Sequence, residues 1–109
     1  MSTDNKILFT LKAQEDLNGI FDYIYNNLYS PQAARRIMRL IDDSINRLAD
    51  FPMSCPLIDD FCLAQKGYRK LVADKYIVIY KFREEKSEVI IHRIINGKVD
   101  YLPLLSGQV

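Results

Sequence analysis

Ser30 to Pro52, SPQAARRIMRLIDDSINRLADFP, carries both ends and one whole face of a helix. A serine hydroxyl accepts a hydrogen bond from an orphan backbone N–H of the first turn, and proline at the first helical position loses nothing by lacking its own. Between the ends, Ala34, Ile37, Ile41, Ile45 and Leu48 recur at steps of three and four, the spacing of one helical face. Arg35, Arg36, Arg39, Asp42, Asp43 and Asn46 take the other side, a solvated face, and Phe51-Pro52 stops the helix.

Working outward toward the N-terminus, Ala13, Leu17, Ile20, Ile24 and Leu28 form a second stripe of the same period, with Thr10 as its cap. Gly19 inside it costs about 1 kcal/mol relative to alanine, which packing must offset. Asn26-Asn27 ends this helix. The link to the next is so short that the two must form an antiparallel hairpin. Before it, Ile7 to Leu11 (ILFTL) suits a short strand.

Toward the C-terminus, residues 52–66 hold Pro52, Pro56 and Asp59-Asp60 and predict an irregular crossing. The period then changes to strands at Tyr68–Ala73, Tyr76–Phe82 and Glu88–Ile95. Asp74-Lys75 and Arg83–Ser87 have hairpin-turn lengths, so the three form an antiparallel meander. Asn96-Gly97 breaks the last strand, and Asp100–Leu105 is a short apolar tail with room for a helical turn. The expected architecture is α+β: an N-terminal strand, a two-helix hairpin, a three-stranded antiparallel meander and a short tail. The hairpin buries its stripes on one sheet face, leaving the other face and the edges open. The first strand joins at an edge or beside the last strand.

At 109 residues, 49% of them hydrophobic, the chain is read as one domain, residues 1–109, with enough core to need no metal or disulfide staple. No apolar run approaches the roughly 20 residues that span a bilayer. The polar opening Met1 to Lys6 lacks a signal-peptide layout, so a cytoplasmic protein is expected. Cys55 and Cys62 with one histidine fall short of the four ligands of a structural zinc site, and no metal or cofactor is expected. Net charge is +1, divided into −3 over residues 1–60 and +4 over residues 61–109. The second half is the side to face a polyanion, though less basic than a chain living on nucleic-acid backbone.

With this order of elements, the segments KAQEDLNGIFDYI, SPQAARRIMRLIDDSINRLADFP, GYRKL, YIVIY and HRIINGKVDYLPLL resemble the RelE/ParE toxin superfamily over residues 6–105. One departure is MSCPLIDDF after the second helix, where relatives often carry a glycine. The resemblance implies the toxin of a type II toxin–antitoxin system. Such a toxin inhibits growth, serves in plasmid stabilisation and is held silent in a hetero-oligomer with a cognate antitoxin. ParE-like members resemble inhibitors of DNA gyrase; RelE-like members resemble ribonucleases that cut messenger RNA on the ribosome. Fold does not choose between them.

Cutting RNA through its own 2′-OH needs a proton acceptor, positive charge on the phosphorane and a donor for the leaving oxygen. Under the nuclease reading the resemblance assigns these to Arg69, Lys98 and Tyr101, with Lys70 as further upstream charge. Ile77, however, stands where the nucleases typically place an arginine, and the exchange is not conservative at a phosphate site. A protein-binding toxin is therefore the first reading, with Arg69, Arg93 and Lys98 as target-binding candidates and no committed catalytic residue. Strand alternation sets Arg93 beside Val89, Ile91 and Ile95, with either a salt bridge to an acid such as Asp100 or a target contact. The same alternation groups His92 with Ile90 and Ile94 as a structural or surface histidine. Lys81, Arg83 and Lys86, interrupted by Glu84, Glu85 and Glu88, read as a solvated turn tip.

Overall fold

The computed structural model describes residues 5–27 and 30–105. The opening Met1–Asp4, Leu28 at the end of the first apolar stripe, and Tyr29 lie outside the described residues. Strand β1 spans Lys6–Phe9, helix α1 Leu11–Asp22, and a π-helical turn, Tyr23–Asn27, continues α1. Helix α2 spans Pro31–Asn46 and tightens into a 3₁₀ turn at Arg47–Ala49. Thr10 Oγ1 accepts the Ala13 N–H at 3.1 Å and Ser30 Oγ accepts that of Ala33 at 3.2 Å, so both caps lie where the sequence puts them. Ala34, Ile37, Ile41, Ile45 and Leu48 are all buried.

Strands β2 (Arg69–Ala73), β3 (Tyr76–Arg83) and β4 (Glu88–Asn96) form the antiparallel meander. The sheet order is β1-β4-β3-β2, with β1 parallel to β4 from Lys6↔Glu88 to Phe9↔Ile91. The first strand thus lies beside the last and forms the edge. In the β2–β3 hairpin Asp74 turns the chain at a φ of 57°, a region that aspartate tolerates better than most side chains.

The period-two reading of the last strand fails at one place. Ile79 pairs with Arg93 but Tyr80 pairs with Ile91, so His92 is the extra residue of a β-bulge. Each following side chain changes face. Val89, Ile91 and Ile94 share the helix-side core, whereas Ile95 turns to the far face with Ile77 and Ile79. Grouping Ile94 with His92 and Ile90, and Arg93 and Ile95 with Val89 and Ile91, is corrected accordingly, since Arg93 pairs with Ile79 beyond the bulge.

The far face is not open. Ile77, Ile79 and Ile95 form a second apolar cluster with Ile58, Leu63, Tyr68 and Leu105. The crossing closes it with an ordered piece: Asp60 Oδ1 accepts the Leu63 N–H at 3.0 Å and starts a short helix, α3, at Phe61–Gln65. The tail adds one helical turn, α4 (Leu102–Leu105), whose Leu105 is fully buried. The β2 edge is also partly covered, since Lys70 N–H donates to Pro56 O at 3.1 Å and Ile58 N–H to Tyr68 O at 3.0 Å. Val72, further along β2, remains 63% exposed.

Candidate functional site

Helix α1 runs beside the part of β4 that β1 is too short to reach. Thr10 N–H donates to Ile91 O at 3.0 Å and Thr10 Oγ1 to His92 O at 3.0 Å. Asp16 Oδ2 accepts the Ile94 N–H at 3.0 Å, so the first helix satisfies backbone groups that the short edge strand leaves over. Arg93 completes this seam. Its Nε donates to Asp16 Oδ2 at 2.7 Å and its Nη2 to Oδ1 at 3.0 Å. That hydrogen bonding holds the guanidinium pKa above its usual value against the cost of burial. The partner is Asp16, not Asp100, whose Oδ1 instead accepts the Leu102 N–H at 3.3 Å.

The seam floors a groove of about 580 Å³ between α1 and the end of the sheet, flanked by Ile20, Tyr23, Tyr76, Val99 and Leu104. Arg93 reaches the groove but is already engaged by Asp16. Lys98 lies in the turn after β4, exposed, with its backbone N–H on Asn96 Oδ1 at 2.9 Å.

Arg69 sits at the other end of the sheet, opposite Tyr80 and therefore on the helix side. Its Nη1 donates to Cys55 O at 2.6 Å, and the Tyr80 hydroxyl donates to Pro52 O at 2.9 Å. Together they pin the crossing, and burial pushes the Tyr80 phenol up out of its ordinary range. Tyr101 is on the far face, where Lys70 Nζ stands 5.9 Å from its ring centroid. Arg69 and Tyr101 thus occupy opposite faces, and Lys98 lies in a turn. Between Ile79 and Ile95 on the far face, Ile77 is 9% exposed and packed in the second cluster.

The structure also assembles a group that sequence reasoning dispersed. On the far face, Lys66, Lys81, Arg83 and His92 line a cleft of about 390 Å³, with Glu85 at its rim. Lys81 Nζ stands 4.3 Å from the Tyr68 ring centroid, and the His92 ring meets Tyr68 edge-on at 5.1 Å. Burial, then Lys66 and Arg83, lowers the Lys81 pKa; burial, then Lys81, brings that of His92 down to about 4. Alternation along β3 places Lys81 on the face of Ile77 and Ile79. The contribution of Lys66 and Tyr68 had no local signal, because it depends on how the crossing folds back.

Among the described residues, no cluster of three or more His, Cys, Asp or Glu could hold a metal ion, and no helix is long and apolar enough to cross a membrane. Cys55 and Cys62 are free thiols.

Residues 7–101 match the family described as ParE toxin of the type II toxin–antitoxin system parDE. No curated protein matches the chain. Among solved structures, the chain is similar to the chromosomal ParDE toxin–antitoxin system from P. aeruginosa, with TM-score 0.70 and 20% identity over 87% of this chain and 98% of that one. It is also similar to the toxin–antitoxin complex RelBE2 from Mycobacterium tuberculosis, with TM-score 0.60 and 16% identity over 85% of this chain and 98% of that one. At these identities the likeness is one of fold.

Proposed function

Because the chain belongs to the ParE toxin family of type II toxin–antitoxin systems, we propose that it inhibits growth by binding a protein target, DNA gyrase, and that a cognate antitoxin neutralises it. The observation that carries this over RNA cleavage is the apolar centre of the far face. Ile77 packs with Ile79 and Ile95 in the cluster that Leu105 completes, at the position where the resemblance to RelE-like nucleases calls for an arginine. An alkyl group there supplies neither charge to a phosphorane nor a proton to a leaving group. His92 does not make good the loss, since an imidazole with a pKa near 4 is a weak base at neutral pH.

Arg69, Arg93 and Lys98 remain the target-binding candidates, and their placement ranks them. Lys98 is the exposed cation of the three, whereas Arg69 and Arg93 each have a partner within the chain. Two surfaces suit the antitoxin: the β2 edge beyond its pairing with the crossing, for an added strand, and the groove beside α1, for a helix.

Expression without antitoxin tests the proposal directly. The expected result is SOS induction and loss of plasmid supercoiling, reproduced by purified chain in a gyrase supercoiling assay. Rapid arrest of protein synthesis with cleaved transcripts and intact supercoiling would overturn it in favour of a ribosome-dependent ribonuclease. Unimpaired growth would overturn both.

A further inference from the structure

We propose that the far-face cleft of Lys66, Lys81, Arg83 and His92 is a binding site for a phosphate-class oxyanion. Two of these groups are set in place by the same ring. Lys81 Nζ stands 4.3 Å from the Tyr68 centroid and the His92 ring lies 5.1 Å from it, while Tyr68 is fully buried and so makes a fixed platform. The imidazole comes from the bulged residue of β4, and bulges re-aim a side chain where a regular strand would not.

The charge is unbalanced. Among the described residues no carboxylate oxygen lies within 4.0 Å of the Lys66 or Lys81 ammonium; Arg83 alone has acidic neighbours, Glu85 at 4.0 Å and Glu88 at 3.9 Å. Three cations against the carboxylates of Glu85, in the lining, and Glu88, beside Arg83, leave the group at +1, with the excess on the two lysines. Like charges forced together in a concave, partly desolvated place raise one another's energy, and an anion with several acceptor oxygens relieves all of them at once. Gly67, at a φ of 88°, also lines the cleft, and beyond its chain neighbours no heavy atom lies within 4 Å of where a Cβ would stand. The volume, about 390 Å³, is at the small end of ligand sites and admits a phosphoryl group with part of what it esterifies.

The lowered pKa values of Lys81 and His92 agree with this, because both are depressed in part by neighbouring positive charge that an anion would neutralise. The inference does not depend on gyrase being the target, and its test uses the purified chain alone. The phosphate is either that of a nucleic-acid backbone or that of a free phosphoryl compound.

His92 is the one histidine of the chain, so its imidazole resonance is unambiguous. Its pH titration is followed by NMR in chloride, in inorganic phosphate and with a single-stranded decanucleotide, at matched ionic strength. Phosphate or the oligonucleotide is expected to raise the His92 pKa by about one unit or more over chloride, and Lys66→Gln and Lys81→Gln each to weaken binding about tenfold. Saturation by the oligonucleotide at tenfold or more below phosphate assigns the backbone as source; comparable saturation assigns a free phosphoryl ligand. A His92 titration identical in all three solutions overturns the site, as does undiminished binding in the Lys66→Gln variant. That lysine is exposed, so its variant keeps the test decisive should Lys81→Gln fail to fold.

Discussion

Arg93 and Asp16 are joined by two hydrogen bonds, at 2.7 and 3.0 Å, and the carboxylate oxygen of the shorter one also receives the Ile94 amide at 3.0 Å. The two side chains are 14% and 15% exposed, so the pair is largely desolvated. Asp16→Ala strands a guanidinium and a backbone N–H together, whereas Arg93→Met leaves Asp16 its amide bond. Loss of about 3 kcal/mol is expected for the first and about half as much for the second in urea denaturation. A cost under about 1 kcal/mol for Asp16→Ala would show the seam to be incidental.

The same pair marks where sequence reading stops. Helix α2 was legible because Ser30-Pro31 and five apolar positions speak through local chemistry, and the meander because hairpin turns and strand composition are local too. Asp16 and Arg93 stand 77 positions apart, and no neighbour of either names the other. The bulge at His92 escaped because counting by twos assumes a regular ladder, and one extra residue exchanges the faces of Ile94 and Ile95. Helix α3 is a single turn in a segment rich in proline and aspartate, where the capping role of Asp60 resembles ordinary loop chemistry. The cationic cleft was missed: Lys81 and Arg83 read as part of a solvated turn tip, whereas Lys81 packs over Tyr68, whose position depends on how the crossing folds back.

The depressed pKa of His92 makes stability depend on pH. The folded value, about 4, lies below the unfolded 6.5, so the unfolded chain takes up the proton first. The contribution is complete above pH 6.5 and is lost as pH falls toward 4, by roughly 2 kcal/mol in all after allowance for the partial exposure of the ring. Carboxylates titrate in the same range, so the measurement is a difference. The urea midpoint of the wild type should fall further than that of His92→Gln between pH 7 and pH 4; parallel curves would contradict the assignment.

Arg69 and Lys98 are separable by what each does at rest. Removing the Arg69 guanidinium leaves the Cys55 carbonyl without its 2.6 Å donor and loosens the crossing, so Arg69→Ala should cost about 1–2 kcal/mol. Lys98 is exposed and only its backbone is bonded, so Lys98→Ala should change stability by less than about 0.5 kcal/mol. If Lys98 meets the target, Lys98→Ala abolishes growth inhibition with an unshifted melting temperature. Full toxicity in that variant would remove Lys98 from the target-binding surface.

Two glycines should respond to alanine with opposite sign. Gly19 lies inside α1, with no heavy atom within 4 Å of where a Cβ would stand, so the fold does not require its missing side chain. Gly19→Ala removes backbone entropy from the unfolded chain and is expected to add about 0.5–1 kcal/mol. At Gly97 an added Cβ would stand 3.1 Å from the Lys75 carbonyl oxygen, which also receives the Gly97 N–H at 2.8 Å. To admit the methyl, the β2–β3 turn and the end of β4 must part while keeping that bond, so Gly97→Ala should lose about 1 kcal/mol or more. Denaturation of the two variants side by side is decisive, since shared errors in the reference state cancel. Equal shifts would mean that neither the open flank of α1 nor the tight approach at Lys75 governs the outcome.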